Sequence, residues 1–395
     1  MPSKYAVSPP HRHIGLIHTS KTNSIVGVVS PGYAAEKVSY GLPVKEYIYR
    51  RMIRAPFQRL EKKGYFWKNT PVIFDNSIAL LHTFNEIPIT THPFVITFEN
   101  ELPRYLGRSS KWQIDIAYKL LNSKRCRRLL ALSQICADNA KKKFENLGMV
   151  DLVNKIQVFR GGVLSSKSSN KRCNLYPSKP IKALFVGGNA LNKGLVPTIE
   201  AIQQCRDSGI QVELTVISYL NAGKGSVLKE YTPDADMWRC KLSELDYIRY
   251  LGGLPNHLVR KEMADHDILL FPSFDESLGW VIVEAGLEGI PTLATNIYAI
   301  PELIKDEKNG FIVKLDLGKE NRWQGIWEYG ERLQHSIDIA CERIRVKINE
   351  VMERISDDRS ILIEFGKNAK KHMESLYDRT KAAQVLESIY QDALN

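Results

Sequence analysis

The chain has 395 residues, of which 44% are hydrophobic, and its formal net charge is +11 at pH 7. This length favours two domains over one, and no apolar run approaches the roughly 20 residues of a membrane-spanning helix. The six cysteines are scattered without a Cys-x-x-Cys pair, which fits a reducing compartment and argues against a thiolate zinc site.

Residues 1–13 lack the apolar core of a signal peptide, which predicts a cytoplasmic protein.

The N-terminal part of the chain is strongly basic. Residues 1–170 hold 26 Lys and Arg against 11 Asp and Glu. Such a surplus points to an anionic partner, and charge spread for solubility is the alternative. Residues 46–68 interleave basic with apolar side chains, which suits the inner face of a plasma membrane; a solvated helix face is the alternative.

The first half also contains short apolar runs and stretches of helical periodicity. Strands are predicted at 24–29, 77–82, 93–98 and 156–159, and helices from about 34 and at 111–121 and 133–147. His82 and Glu99 come at the ends of two of these strands. In a parallel sheet the strand ends face the ligand crevice, so both side chains are candidate site residues, with a structural role as the alternative.

The second half alternates between strand and helix patterns after a Ser- and Pro-rich linker at 165–180. Strands are predicted at 181–186, 211–218 and 268–271, and helices at 195–207 and 257–265. This is the βαβ rhythm of a parallel sheet. Beyond residue 323 the pattern is helical almost without interruption to residue 376.

A glycine-rich turn follows the first strand of this half. It contains Gly187, Gly188 and Asn189, and Lys193 stands at the entrance of the next helix. Glycines let a backbone approach a phosphate closely, and the lysine supplies a point charge. The sequence therefore predicts an anion-binding turn.

The segment 272–285 joins an apolar strand to a helix and carries two glutamates. Glu276 lies in the turn, and Glu284 lies about two helical turns further on. Free amides at the helix start are placed to receive an anion or a sugar hydroxyl; they belong to Ser277, Leu278 and Gly279. A plain helix cap is the alternative role of Glu276.

These features occur in a fixed order. The order is Pro272-Ser273, Glu276, Gly279, Glu284, Gly289-Ile290-Pro291, Pro301-Glu302 and Asn309-Gly310. It resembles the signature of the retaining glycosyltransferases of family 4 (glycosyl transferases group 1). The resemblance is specific for about 181–314 and looser for 77–163.

The resemblance implies an α/β protein of the GT-B fold, with two Rossmann-like domains facing an inter-domain cleft. The acceptor-side domain would be 1–170, with a C-terminal helix of about 378–395 crossing back to it. The nucleotide-sugar-binding domain would be 175–377. No protein nucleophile is evident, so the leaving phosphate itself would deprotonate the acceptor.

The resemblance also implies residue roles. Lys193 and the turn 187–189 would hold the donor diphosphate together with the amides of 277–279. Glu276 would hold sugar hydroxyls and Glu284 the ribose. Gly32 resembles the glycine loop between the domains, on the acceptor side with His82 and Glu99.

Two positions depart from the family pattern. The family usually has an arginine where this chain has Gly188, so one cation for the diphosphate is missing, and Lys193 must act with backbone amides or with a basic residue from elsewhere. Many members have a histidine where this chain has Glu99, which changes the charge near the donor sugar.

The implied reaction is the retaining transfer of a hexose-type sugar from a UDP or GDP sugar to a saccharide or lipid-linked acceptor, in cell-surface polysaccharide or glycolipid synthesis. No metal and no further cofactor are expected, because Asp234-Ala235-Asp236 and Asp265-His266-Asp267 imitate the Asp-x-Asp of metal-dependent transferases by chance. The alternatives are a GT-B sugar-nucleotide epimerase and a non-catalytic sugar-nucleotide-binding protein. A nucleic-acid-binding protein lacks any supporting signature.

Overall fold

The computed structural model describes residues 80–85, 87–104, 111–163, 179–220 and 235–395, and the backbone of four short strands before residue 80. Gly32, the basic stretch 46–68 and Asp234 lie outside the described residues. The chain divides into two compact units. Unit 1 comprises Met1–Leu164 and Tyr377–Asn395, and unit 2 comprises Ser165–Leu376.

Unit 1 is built around a parallel sheet. Its strands are β1 (Tyr5–Val7), β2 (Ile14–His18), β3 (Ile25–Val29), β4 (Val72–Ile73), β5 (Leu80–Phe84), β6 (Ile89–Thr90), β7 (Phe94–Phe98), β8 (Cys126–Ala131) and β9 (Ile156–Val158). Its first described helices are α1 (Lys111–Asn122), α2 (Gln134–Asn146) and α3 (Val150–Lys155). The main sheet has the order β1-β5-β7-β8-β9 with parallel pairing throughout. β5 and β7 are fully buried, as apolar strands covered on both faces should be.

Strand β8 was not predicted from the sequence. The run Lys124-Arg125-Cys126-Arg127-Arg128 suggests an exposed basic surface, but β8 begins at Cys126 and pairs with β7 and β9 inside the sheet. Lys124 and Arg125 are exposed, whereas Arg127 and Arg128 are half-buried. The hydrogen-bonding partners on both sides, which are set by tertiary structure, hold this strand in place despite its charged residues.

Unit 2 is a second parallel sheet with helices between the strands. The elements are β10 (Ile181–Val186), α4 (Leu195–Asp207), β11 (Val212–Ile217), α5 (Ala235–Ser243), β12 (Ile248–Tyr250), α6 (Asn256–Met263), β13 (Ile268–Phe271), α7 (Trp280–Leu287), β14 (Thr292–Thr295), α8 (Ile300–Leu303) and β15 (Gly310–Val313). The strand order is β12-β11-β10-β13-β14-β15. All five pairings are parallel. The predicted strands at 181–186 and 268–271 and the predicted helix at 195–207 are confirmed.

The strand order reverses beside β10. From β10 the chain moves outward through β11 and β12, and it then returns to place β13 on the other side of β10. In open parallel sheets, ligands bind at the carboxyl ends of the strands at such a reversal. The turns that follow β10 and β13 therefore lie side by side at the expected ligand position.

The C-terminal helices are interrupted more than the pattern predicts. A short 3-10 turn at Gln324–Trp327 precedes α9 (Gly330–Asp357) and α10 (Ser360–Tyr377). The last helix, α11 (Arg379–Leu394), lies in unit 1. Among the described helices, none combines the length and the apolar character needed to cross a bilayer.

Candidate functional site

The turns after β10 and β13 touch each other at one glycine. Gly194 has a φ of +80°, and a Cβ at this position would lie 2.3 Å from the carbonyl oxygen of Pro272. Any other residue would push the two turns apart, because that carbonyl is backbone and cannot move independently. The close approach brings the lysine of one turn to the glutamate of the other.

Lys193 crosses from the first turn to the second. Its Nζ donates to the backbone carbonyl oxygen of Asp275 at 2.7 Å, to Oε2 of Glu276 at 2.7 Å and to Oγ of Ser273 at 3.3 Å. Gly187 makes room for this path, since a Cβ there would lie 2.7 Å from Cγ of Lys193. The ammonium group also lies 5.4 Å from the centre of the Phe271 ring.

Glu276 accepts from two directions. One carboxylate oxygen takes the ion pair with Lys193, and the other accepts from the amide of Ser277 at 2.9 Å. Burial alone would raise the pKa of this carboxyl, but the Lys193 charge and the amide hydrogen bonds lower it below its ordinary value. Both side chains of the pair are 18% exposed. An ionised carboxylate thus stays within reach of solvent at the end of the sheet.

The amides at the start of α7 were predicted to receive an anion. Gly279 precedes the helix with a φ of +85°, which favours glycine, and no side chain caps the helix there. The Ser277 amide donates to Glu276. The Ser277 amide, which was predicted to be free for an anion, is therefore taken up by Glu276, as the cap alternative predicts, and the same carboxylate also holds the lysine of the neighbouring turn.

Ser273 fixes the second turn, and sequence reasoning assigned it no role beyond the motif. It is fully buried, and its Oγ donates to the Asp275 carbonyl at 2.8 Å. Its own carbonyl accepts from Oγ1 of Thr295 at 2.6 Å. The amide of Phe274 donates to the Asn192 carbonyl at 2.8 Å. These hydrogen bonds hold both turns in one arrangement.

Glu284, the second glutamate of the motif, lies on α7. Its side chain is buried, and Oε1 accepts from Nδ2 of Asn256 at 2.9 Å. Burial raises the pKa of its carboxyl to about 7, although the Asn256 hydrogen bond and the Arg260 charge oppose the rise. Arg260 itself is paired with Glu288 at 2.6 Å.

The raised pKa makes a testable prediction about stability. A buried acid with a folded pKa above its unfolded value of 4.5 contributes less to stability as pH rises through about 7. Glu284→Gln keeps an acceptor for Asn256. We expect its free energy of unfolding to rise relative to that of the parent by up to about 3 kcal/mol as the pH increases from 5 to 8. Denaturant unfolding at both pH values measures this. Glu342→Gln, at a side chain 60% exposed, is the control. An identical pH dependence of parent and Glu284→Gln would contradict the prediction.

Gly188 and Asn189 are the remaining predicted residues of the glycine turn. A Cβ on Gly188 would meet nothing within 4 Å, so space does not require glycine there. Oδ1 of Asn189 accepts from the amide of Asn192 at 3.3 Å. Asp267 has a structural role: its Oδ2 accepts from the amide of Lys182 on β10 at 2.9 Å. Gly188 has no side chain and the amide of Asn189 is neutral, so neither residue supplies a cation.

The two unit 1 candidates have different surroundings. His82 is buried within β5, with Nδ1 2.5 Å from the Tyr390 hydroxyl and Nε2 2.7 Å from Oγ1 of Thr97. Burial lowers its pKa to about 3, so the imidazole is neutral. This environment fits the structural alternative. Glu99 follows β7 and is 18% exposed, and it accepts from Asn85 at 3.1 Å and from Arg104 at 3.3 Å.

Comparison with known proteins supports the predicted family over one part of the chain. The model of the family described as glycosyl transferases group 1 matches residues 166–318. The chain is 28% identical over 165 residues to the amylovoran biosynthesis glycosyltransferase AmsK of Erwinia amylovora, a match that covers 40% of this chain and 38% of AmsK. It is 24% identical over 213 residues to the capsular polysaccharide biosynthesis glycosyltransferase CapM of Staphylococcus aureus, with 52% and 44% covered. The chain spans less than half the length of each of these relatives.

Solved structures identify the fold. Anabaena HepE in complex with UDP-glucose has a TM-score of 0.55 at 18% identity, covering 80% of this chain and 79% of HepE. Sucrose-phosphate synthase of Thermosynechococcus elongatus has a TM-score of 0.54 at 14% identity, covering 80% and 74%. These neighbours are GT-B glycosyltransferases. The predicted α/β, GT-B fold class is confirmed.

Proposed function

We propose that this chain is a glycosyltransferase that moves a hexose-type sugar from a UDP or GDP sugar to a saccharide or lipid-linked acceptor, with retention of configuration. Its proposed setting is cell-surface polysaccharide or glycolipid synthesis. The named activities of AmsK and CapM support that setting, and the UDP-glucose in HepE supports a nucleotide-sugar donor.

The observation that carries the proposal is the contact between Lys193 and Glu276 where the strand order reverses. Transfer from a nucleotide sugar leaves a nucleoside diphosphate, whose developing negative charge must be stabilised. A lysine held at the entrance of a helix supplies the positive charge that stabilises it. A carboxylate beside it accepts hydrogen bonds from sugar hydroxyls. On donor binding, Lys193 would exchange its present acceptors for phosphate oxygens.

In the proposed reaction, the bond between the anomeric carbon and the leaving phosphate oxygen breaks. The acceptor hydroxyl oxygen forms the new bond on the same face of the sugar, and its proton moves to the leaving diphosphate. Glu276 would orient the donor sugar and Glu284 would hold the ribose. Glu99 would act near the donor sugar, at the position where many family members have a histidine. No protein nucleophile takes part, so the electrostatic stabilisation of the diphosphate is the main contribution of these residues.

A two-stage experiment tests the proposal. UDP, GDP and their sugars are first screened for thermal stabilisation, since a ligand that binds only the folded state raises the melting temperature. Stabilising donors are then incubated with saccharide and lipid-linked acceptors, and the configuration of the product linkage is determined by NMR. An inverted linkage would reject retention. Binding without transfer would favour the binding-protein alternative, and isomerisation of the donor would favour the epimerase.

The basic N-terminal half leads to a prediction about the acceptor. If residues 46–68 bind an anionic membrane, the protein should cosediment with anionic vesicles, and less so as salt rises, since the Debye length is about 8 Å at physiological ionic strength. Changing Arg50, Arg51, Arg54 and Arg59 to Gln should release it, because each basic residue near the surface contributes about 1 kcal/mol. Turnover of a short soluble acceptor should be nearly unaffected. Equal cosedimentation of parent and variant, or with neutral and anionic vesicles, would contradict a membrane role.

A further inference from the structure

An arginine from a distant segment contacts the turn that carries Glu276. Arg322 lies between β15 and α9, and its NH1 donates to Oδ1 of Asp275 at 2.6 Å. The arginine side chain is 12% exposed and the aspartate side chain 38%. The guanidinium carbon lies 4.9 Å from the centre of the Tyr298 ring. The arginine is therefore largely buried at the edge of the candidate site.

The position of Arg322 is fixed by its backbone and by its neighbour. Its amide donates to the Lys319 carbonyl at 3.1 Å, and its own carbonyl accepts from the amide of Gly318 at 2.8 Å. The next residue, Trp323, is 2% exposed and packs against Phe274 with ring centres 5.1 Å apart. Two consecutive residues of this segment thus contact two consecutive residues of the turn.

Asp275 connects two cations. Its backbone carbonyl accepts from Lys193 and its carboxylate accepts from Arg322. Glu276, the next residue, brings a second carboxylate to the same turn. Within the turn and its two cations, the two carboxylates and the two positive charges cancel; Glu320 also lies 4.0 Å from Nε of Arg322, but its side chain is 48% exposed and its charge is screened by water. Without Arg322 the turn would carry one net negative charge, which would repel an approaching diphosphate. Water reaches the Asp275 side chain, which is 38% exposed, and screens part of this repulsion, but the carboxylate belongs to the residue whose carbonyl contacts Lys193.

We propose that Arg322 is a positioning residue of the donor site: it neutralises and holds the Asp275 carboxylate, so that the turn accepts an anionic diphosphate beside Lys193. This inference rests on the proposed function. An exposed ion pair would contribute little, whereas Arg322 is mostly buried and Asp275 contacts Lys193 directly. Arg322 thus acts through Asp275 rather than by touching the substrate.

Calorimetric binding of UDP and GDP tests the inference. We expect Arg322→Ala to raise the dissociation constant of the better ligand by about tenfold or more, in line with the loss of a hydrogen-bonded charge. Arg322→Lys keeps the charge and should lose only about threefold. Asp275→Asn should bind at least as tightly as the parent. Adding Asp275→Asn to Arg322→Ala should restore binding to within about threefold of the parent, because the unpaired carboxylate is gone.

Arg343→Ala is the control, since Arg343 forms an Arg–Asp pair with Asp316 at 2.9 Å elsewhere in unit 2, with side chains 41% and 61% exposed. It should bind like the parent, and melting curves verify that all variants are folded. Parental binding by Arg322→Ala would overturn the inference and leave the proposed function standing. Binding that Asp275→Asn fails to restore would also overturn it, because a purely structural arginine would not be rescued by removing a charge. A parent that binds neither nucleotide would reject the proposed function and the inference together.

Discussion

Glu276→Ala is expected to lower kcat/KM for sugar transfer by about a thousandfold or more while the protein remains folded. In the proposed function this carboxylate accepts from sugar hydroxyls, and it also holds Lys193 at 2.7 Å. Its carboxylate accepts from the Ser277 amide, but Ser273 and Thr295 hold the backbone of the same turn independently of the glutamate, so the fold should survive its loss. Steady-state kinetics with the donor found by screening, together with melting curves, measure both effects.

Two further variants sharpen this result. Glu276→Gln keeps the size and one acceptor oxygen but removes the charge, so it should retain more activity than the alanine variant. Glu200→Ala removes a carboxylate that pairs with Arg345 at 2.7 Å elsewhere in unit 2, and it should behave like the parent. Full activity of Glu276→Ala with a natural donor would remove the central claim of the proposed function.

Lys193→Met is expected to weaken binding of the nucleoside diphosphate by roughly tenfold to a hundredfold, the range expected for charge-assisted hydrogen bonds. Methionine keeps an unbranched side chain that can pass Gly187 and reach the Phe271 ring, so mainly the charge is lost. Lys193 is the cation placed at the helix entrance beside Glu276. Titration calorimetry with UDP and GDP measures the change.

The loss of the lysine also leaves Glu276 without its ion pair, and that carboxylate would then repel the phosphate. The double variant Lys193→Met with Glu276→Gln separates the two effects, because it removes the repulsion while the lysine stays absent. Lys182→Met, at an exposed position of β10, should bind like the parent. An unchanged dissociation constant in Lys193→Met would show that another residue carries the phosphate.

Local sequence patterns were sufficient for much of unit 2. The apolar run 181–186 and the helical periodicity of 195–207 predict β10 and α4 with their observed bounds. These patterns work because a strand in a parallel sheet is buried on both faces, and a helix covering the sheet has one apolar side. Strand β8 was missed because its first residues do not form such an apolar pattern. Its basic residues hide a strand that its neighbours in the sheet stabilise.

The sequence by itself determined which residue types the candidate site contains: the glycine turn with Lys193, and the two glutamates at their spacing in 276–284. Only the tertiary structure decided their partners. The reversal of strand order beside β10 joins Lys193 to Glu276, and Arg322 reaches Asp275 across 47 residues of chain. The tertiary structure also buries His82 against Tyr390, which is 308 residues away along the chain. Spacing along a chain reports only neighbours within an element, whereas these contacts arise from strand order, from a segment that returns to the turn after β13, and from a helix packed on β5.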